Sequence, residues 1–309
     1  MVDRAPAAAL RSRFQGDATV YLIPGDPVRN VRLPRMFDAV FERYGIDAVL
    51  LPMQVSRRDF AVFFKAAFLA RNVGGMVIAP PHKPLVVDLL DGCGLAGRVA
   101  GSVNVVRRTE GGALEGDLFD GDGLLDALDH YAIPYRGKRV LVLGAGVTGA
   151  AIGTALAEGG TVNGAAHIAF HDSVAGKAAG LAAKLDAFFD AEVVAAASNA
   201  SEDFDLVINA TALGLNDDDP LPVEVERMAP HAALFDILLR NQPTALVRAA
   251  RARGLVAQAG FEMLIQQMPH YLRYFGHDEA AEALGDDADF LRELIYPPSM
   301  RGEIVRSPR

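Results

Sequence analysis

A strand, a glycine loop and a helix in immediate succession constrain this chain more than any other feature. Val140-Leu141-Val142-Leu143 is a continuous apolar run. It passes straight into Gly144-Ala145-Gly146-Val147-Thr148-Gly149 and then into an alanine-rich stretch over residues 150–158. An isolated G-x-G-x-x-G says little, but placed between a strand and a helix it predicts a pyrophosphate cradle. Gly144 permits the tight turn, Gly146 lets a pyrophosphate approach the backbone, and Gly149 lets the helix lie close on the strand. The helix N-terminus then offers free N–H groups to the phosphate charge. A tight turn without a ligand is the alternative. Residues 167–171, 193–195 and 205–209 read as further strands, with a helix over 177–189. That rhythm predicts a doubly wound, Rossmann-type nucleotide domain.

The end of the second of these strands bears on the cofactor. Asp172 closes Ile168-Ala169-Phe170-His171-Asp172. A carboxylate there accepts from the adenosine 2′-hydroxyl and repels a 2′-phosphate, so NAD is expected rather than NADP. The alternative role for Asp172 is to cap the following helix.

Ahead of this unit, residues 18–23, 48–52 and 75–79 read as short apolar strands, with helices over 34–44 and 58–71. The breakers Pro24-Gly25-Asp26-Pro27 and Pro80-Pro81-His82-Lys83-Pro84 follow the first and third strands. This βαβαβ order predicts an α/β substrate domain on a mostly parallel sheet. After about Ala257 the pattern turns helical, so the C-terminal helices are expected to return to that first domain. The expected division is a substrate-binding catalytic domain of residues 1–122 and 258–309 around a nucleotide domain of residues 123–257.

Composition narrows the partners. The formal net charge of −9 argues against a nucleic-acid partner, which needs a clustered basic surface. Cys93 is the only cysteine, so no intrachain disulfide can form, and no metal site is expected around it. No apolar run reaches the roughly 18 residues of a membrane span. Residues 1–14 lack the apolar core of a signal peptide. A cytoplasmic protein that binds a small molecule, as a monomer or homodimer, is the expectation.

Outside the nucleotide domain, Lys83 and Asp120 are the best acid/base candidates. Lys83 stands among prolines after a strand, and Asp120 lies in the glycine-dense Gly116-Asp117-Leu118-Phe119-Asp120-Gly121-Asp122-Gly123. Oxidising an alcohol needs a group that takes the hydroxyl proton as hydride leaves, and a lysine held by a carboxylate can do so. Taken singly, each is equally readable as a surface lysine and a turn aspartate.

Six segments in order make the chain resemble the shikimate dehydrogenase family over nearly its whole length. Gly25-Asp26-Pro27-Val28 through Pro34 is similar to the family's G-x-P-I-x-H-S-x-S-P, and residues 75–83 to G-x-N-V-T-x-P-x-K. Gly101-Ser102-Val103-Asn104 resembles G-A-V-N, and residues 116–123 resemble G-x-N-T-D-G-x-G. Asn209-Ala210-Thr211-Ala212-Leu213-Gly214 is similar to N-A-T-x-x-G, and Met263-Leu264-Ile265-Gln266-Gln267 to M-L-x-x-Q. The resemblance implies Lys83 as catalytic lysine paired with Asp120, and Asn104 and Gln267 as hydrogen-bond partners of substrate hydroxyls. It also implies Asn209, Thr211 and Gly260 on the nicotinamide side of the cleft, and an NAD(P)-dependent oxidation of a shikimate- or quinate-like polyol. A ligand sensor that kept the fold and lost the chemistry is the competing reading. The acid/base pair disfavours it, and an unrelated methylene-tetrahydrofolate dehydrogenase would not share the motif order.

The departures from the family pattern are consistent in kind. The two serines of S-x-S-P correspond to Val31 and Leu33, the Asn and Thr of N-V-T to Val77 and Ala79, and the tyrosine of Asp-x-x-Tyr to Leu239. Leu118 and Phe119 replace an Asn-Thr pair. Each polar side chain has become apolar. Hydrogen bonds to a charged group contribute about 1.5–3 kcal/mol each, so losing two or three weakens carboxylate binding roughly a thousandfold or more. Val31, Leu33, Val77, Ala79 and Leu239 are therefore expected to form one apolar wall. Arg29, Arg32 and Arg35 flank it, either as a replacement anion grip or as a solvated helix start.

Overall fold

The computed structural model describes residues 16–29 and 31–306. The alanine-rich N-terminus, read from sequence as carrying no leader, lies outside the described residues.

The first unit runs β1 (Thr19–Gly25), α1 (Leu33–Tyr44), β2 (Ala48–Gln54), α2 (Phe60–Ala67) and β3 (Val73–Val77). It continues through β4 (Gly92–Cys93), α3 (Leu95–Ala100), β5 (Val105–Arg108), β6 (Leu114–Asp117) and α4 (Asp120–His130). Helix α1 buries Leu33, Met36, Phe37, Val40 and Phe41, the i, i+3, i+4 stripe of an amphipathic helix, and Gly45 ends it in the left-handed region at φ 66°. Strand β1 pairs in parallel with β2 and β3, as the alternating order predicts. Beyond β3 the sheet changes character, because β5 pairs antiparallel with both β3 and β6, giving the order β2-β1-β3-β5-β6-β4. This hairpin has no counterpart in the sequence reading, since four-residue strands are too short to show a period. Helix α2 is shorter than the predicted 58–71. The carbonyls of Phe68 and Ala70 turn instead to accept from the Arg108 guanidinium.

The second unit holds β7 (Arg139–Leu143), α5 (Val147–Glu158), α6 (Gly160–Asn163), β8 (His167–His171), α7 (Lys177–Asp186), β9 (Glu192–Ala195) and β10 (Leu206–Asn209). Then follow β11 (Ala233–Asp236), α8 (Ala245–Ala252) and β12 (Val256–Ala259). All its strand pairs are parallel, in the order β12-β11-β10-β7-β8-β9. Val140 and Val142 of β7 enter the core beneath α5, while Leu141 and Leu143 enter the core beneath α8. Burial on both faces is why this strand reads as an unbroken apolar run.

Helices α9 (Phe261–Tyr274), α10 (Asp278–Asp286) and α11 (Asp289–Ile295) bring the chain back. Phe261, Ile265, Met268 and Leu272 of α9 share one core with Met36, Phe37 and Phe41 of α1. Glu262 and Arg292, both 1% exposed, pair through two hydrogen bonds and fix α9 against α11. Helix α9 thus lies between the substrate unit and the nucleotide unit, where the site forms.

Candidate active site

Lys83 begins a short 3-10 turn just after β3, and Asp120 is the first residue of α4. The sheet brings them together across 37 positions: Lys83 Nζ lies 2.9 Å from Asp120 Oδ2 and 3.3 Å from Oδ1. Their side chains are 18% and 12% exposed, so the pair is sheltered yet reachable. Asn104, immediately before β5, donates from Nδ2 to Asp120 Oδ2 at 3.2 Å and to the Tyr271 hydroxyl at 3.0 Å. Its Oδ1 accepts from the Phe119 N–H at 3.1 Å. The Tyr271 hydroxyl donates in turn to Gln267 Oε1 at 2.8 Å. A continuous network therefore runs Lys83–Asp120–Asn104–Tyr271–Gln267.

The packing of α4 on α9 places the two ends of this network side by side. A Cβ on Gly123 would meet Gln267 Cγ at 2.5 Å and the Met263 carbonyl at 2.6 Å, so only glycine allows the helices to approach this closely. Tyr271 was not singled out from sequence. The available signal was its position one turn beyond Gln267 on the same face of α9. Burial, and then the Asp120 charge, raise the Tyr271 phenol well above its ordinary value. It stays protonated and relays hydrogen bonds without acting as a base.

These residues line a cavity of about 730 Å³ between the two units. Lys83, Asn104, Asp120, Gln267 and Tyr271 are all among its lining residues. All five of Val31, Leu33, Val77, Ala79 and Leu239 line the same cavity, joined by Ile23, Ile237 and Leu264. Five separate places supply these apolar side chains: β1, the α1 entry, the end of β3 with the loop beyond it, the loop after β11, and α9. Leu118 and Phe119 are not among them. Leu118 is fully buried in the fold, and Phe119 packs edge-on against Tyr271 and Tyr274.

The glycine loop opens beside the cavity, where Thr148 and Gly260 also line it. Gly144 adopts φ 100°, and a Cβ on Gly149 would meet the Gly144 carbonyl at 2.0 Å, which is the close strand–helix contact expected of that position. Nothing lies within 4 Å of a Cβ placed on Gly146, and α5 starts there with no side-chain cap. A pyrophosphate fits this space, with Gly146, Val147 and Thr148 offering backbone N–H groups. Asp172 Oδ2 accepts from the Ala145 N–H at 2.9 Å and Oδ1 from the Val174 N–H at 2.8 Å. Desolvation raises the Asp172 carboxyl, but these two donors outweigh it and hold it below the ordinary carboxylate range. Asp172 thus locks the loop and does not cap α7, whose N-cap is Gly176.

Asn209 and Thr211 are not among the side chains lining this cavity. Asn209 is fully buried; its Nδ2 donates to Asp236 Oδ1 and the Leu213 carbonyl, and its Oδ1 accepts from the Thr211 N–H and hydroxyl. They hold the loop after β10 against Gly144, whose added Cβ would meet the Ala210 carbonyl at 2.9 Å. Arg29, Arg32 and Arg35 line a second cavity adjoining the first. Cys93 is half-buried, and burial followed by the Asp117 charge raises its thiol. Among the described residues no group of three His, Cys, Asp or Glu side chains could hold a metal ion, and no helix is long and apolar enough to cross a membrane.

Residues 23–106 match the family model described as the shikimate dehydrogenase substrate binding domain. The chain is 34% identical to a shikimate dehydrogenase (NADP(+)) of Acidiphilium cryptum (strain JF-5) over 264 residues, spanning 85% of this chain and 92% of that protein. Among solved structures it is similar to 5-ketofructose reductase of Gluconobacter sp. strain CHM43, with TM-score 0.75 and 27% identity over 86% of this chain and 99% of the other. It also shares its fold with shikimate 5-dehydrogenase from Listeria monocytogenes, with TM-score 0.78 and 21% identity over 88% and 98% of the two chains.

Proposed function

Because the chain belongs to the shikimate dehydrogenase family of NAD(P)-dependent oxidoreductases acting on CH–OH groups, we propose that Lys83 and Asp120 are its acid/base pair. The substrate is a shikimate- or quinate-like polyol with an uncharged or apolar end. The observation that carries this reading is the Lys83–Asp120 contact of 2.9 Å inside a cavity that also holds Asn104 and Gln267. A non-catalytic sensor would have no use for such a pair.

Bound NAD(P) supplies the hydride acceptor. Lys83 takes the substrate hydroxyl proton as the C–H bond is oxidised, and returns it in the reverse direction. Asp120 steadies that amine through both carboxylate oxygens, and Asn104 fixes Asp120 from the far side. Gln267 spends its oxygen on Tyr271, which leaves its Nε2 donor for a substrate hydroxyl. A substrate carboxylate turned toward Val31, Leu33, Val77, Ala79 and Leu239 would find no hydroxyl or amide donor among them and would depend on Arg32, which lines the same cavity and already donates to the Ile295 carbonyl, so carboxylate binding there is weakened. The likeness to 5-ketofructose reductase supports a substrate free of carboxylate on this architecture. On the cofactor side, the ionised Asp172 beside the loop favours NAD, since it repels a 2′-phosphate.

A cofactor-reduction screen with NAD and NADP against shikimate, quinate and related polyols tests the activity. Lys83→Met then tests the assignment. Turnover should fall a hundredfold or more with cofactor affinity unchanged, and a residual rate above about a tenth of wild type removes Lys83 from the role.

A further inference from the structure

We propose that Arg29, Arg32, Arg35 and Arg240 form a subsite for a tetrahedral dianion, as carried by a phosphate monoester, opening onto the distal end of the substrate cavity. The inference rests on reading the adjoining cavity as the substrate site. The four guanidinium groups line a cavity of about 770 Å³, and Val31, Arg32 and Leu239 line both this cavity and the reaction cavity. The two cavities thus meet at this shared rim, with the acid/base pair in one, Arg29, Arg35 and Arg240 in the other, and Arg32 reaching both.

Three observations point to an anion. First, none of the residues lining this cavity is acidic, although four are arginines. Second, the positive charges sit at the wrong end of a helix. Arg32 is the N-cap of α1 and Arg35 lies in its first turn, where the helix dipole is already positive; that turn holds no acid and no side-chain cap. Cations belong at helix C-termini, so this placement is unfavourable unless an anion occupies the space. Burial, then the nearby Arg35 charge, pull the Arg32 guanidinium below its ordinary value, as crowded positive charge does.

Third, half of the cluster is held in position and half is left free. Arg32 donates to the Ile295 carbonyl at 3.0 Å and lies over the Phe261 ring at 5.2 Å. Arg240 donates to the Gly214 carbonyl at 2.9 Å and to Asp217, an exposed side chain outside the cavity lining, at 2.8 Å. The side chains of Arg29 and Arg35 make no hydrogen bond or ion pair among the described residues. Two fixed and two free forks suit the several oxygens of a phosphate better than a single carboxylate. The cofactor's own phosphates lie elsewhere. Arg240 follows β11 while the glycine loop that cradles the pyrophosphate follows β7, and β10 stands between them, a lateral separation of about 10 Å at ~4.8 Å per strand.

Calorimetric titration of the cofactor-free protein with inorganic phosphate, and with acetate at matched ionic strength, tests this. Wild type should bind phosphate at least tenfold more tightly than acetate. Arg29→Gln with Arg35→Gln, both exposed positions, should weaken phosphate by about tenfold or more, as loss of charge-assisted bonds requires. Lys83→Met should leave phosphate affinity within twofold. The proposal is overturned if wild type does not bind phosphate, if acetate matches phosphate, if the double variant binds phosphate as wild type does, or if Lys83→Met loses it. Phosphate binding of the stated pattern without any polyol oxidation would defeat the proposed function alone. Polyol oxidation with arginine-independent phosphate affinity would defeat this inference alone.

Discussion

Tyr271→Phe removes one oxygen from the centre of the network and leaves the ring in place. That ring packs against Phe37 and Phe119, contacts that phenylalanine keeps. Two hydrogen bonds disappear. Asn104 Nδ2 retains Asp120 Oδ2, but Gln267 Oε1 loses its donor in a residue only 4% exposed. A buried acceptor left without a partner costs about 1–3 kcal/mol, and the lost Asn104 bond adds on the order of 1 kcal/mol, so about 2–4 kcal/mol is expected. With an unfolding entropy of roughly 2.1 cal/mol/K per residue over 309 residues, that lowers Tm by about 3–6 °C. In kinetics, freeing Gln267 and loosening Asn104 should lower kcat/KM by about tenfold, mostly as a higher KM because Gln267 is the proposed partner of a substrate hydroxyl. Cofactor affinity should not change, since Tyr271 lies outside the glycine loop. The limbs of the pH–rate profile should stay where they are, because the buried phenol does not titrate in the working range. Thermal unfolding with steady-state kinetics at several pH values measures all four. A Tm within 1 °C together with kcat/KM within twofold refutes the energetic role of the network. A displaced limb refutes its assignment as a relay.

Val31→Ser with Leu33→Ser should improve shikimate use by about tenfold through KM. Leu33 is 7% exposed in the α1 core, so the same change should destabilise the fold by about 2–4 kcal/mol, and unchanged kinetics would reject the wall as the reason for weak carboxylate binding. Asp172→Ala should narrow the affinity gap between NAD and NADP in a fluorescence titration, and an unaltered gap would leave Asp172 only its hold on Ala145 and Val174. Burial keeps His82 and His277 below their ordinary values, so both are neutral in the fold while the unfolded chain gains protons below pH about 6.5. Their contribution is therefore present above about pH 6.5 and lost as pH falls. Denaturant unfolding at pH 7.5 and 5.5 should show that loss, with a shallower slope for His82→Gln; equal slopes would exclude His82 as a contributor.

The glycine loop and the strands beside it were legible in the sequence because the physics that writes them is local. Strand β8 spans the residues read as a strand from the sequence, since burial on both faces demands apolar residues at every position. Gly144 and Gly149 stand where only a positive φ or a missing Cβ allows the backbone through. The N-terminal hairpin of β5 and β6 was not legible, because four-residue strands take their stability from neighbours rather than from a pattern of their own.

The site divides in the same way. Lys83 and Asp120 are a prolyl-turn lysine and a loop aspartate until β3 pairs with β5 and α4 packs on α9, which bring them to 2.9 Å. Asn209 and Thr211 sit in a segment that resembles a binding motif, and the tertiary structure shows that they also fasten their own loop. Tyr271 shows in sequence only its i, i+4 spacing from Gln267, while its other partner, Asn104, comes from a distant element. The arginines flanking α1 are a basic helix start in sequence, and only Arg240, from beyond β11, makes them a cluster. Sequence alone determined the nucleotide fold and the chemical types present, because backbone conformation and periodic burial are encoded within a few residues. Which side chains meet was decided by tertiary structure, because hydrogen bonds and charge clusters act over a few ångströms of space between residues far apart along the chain.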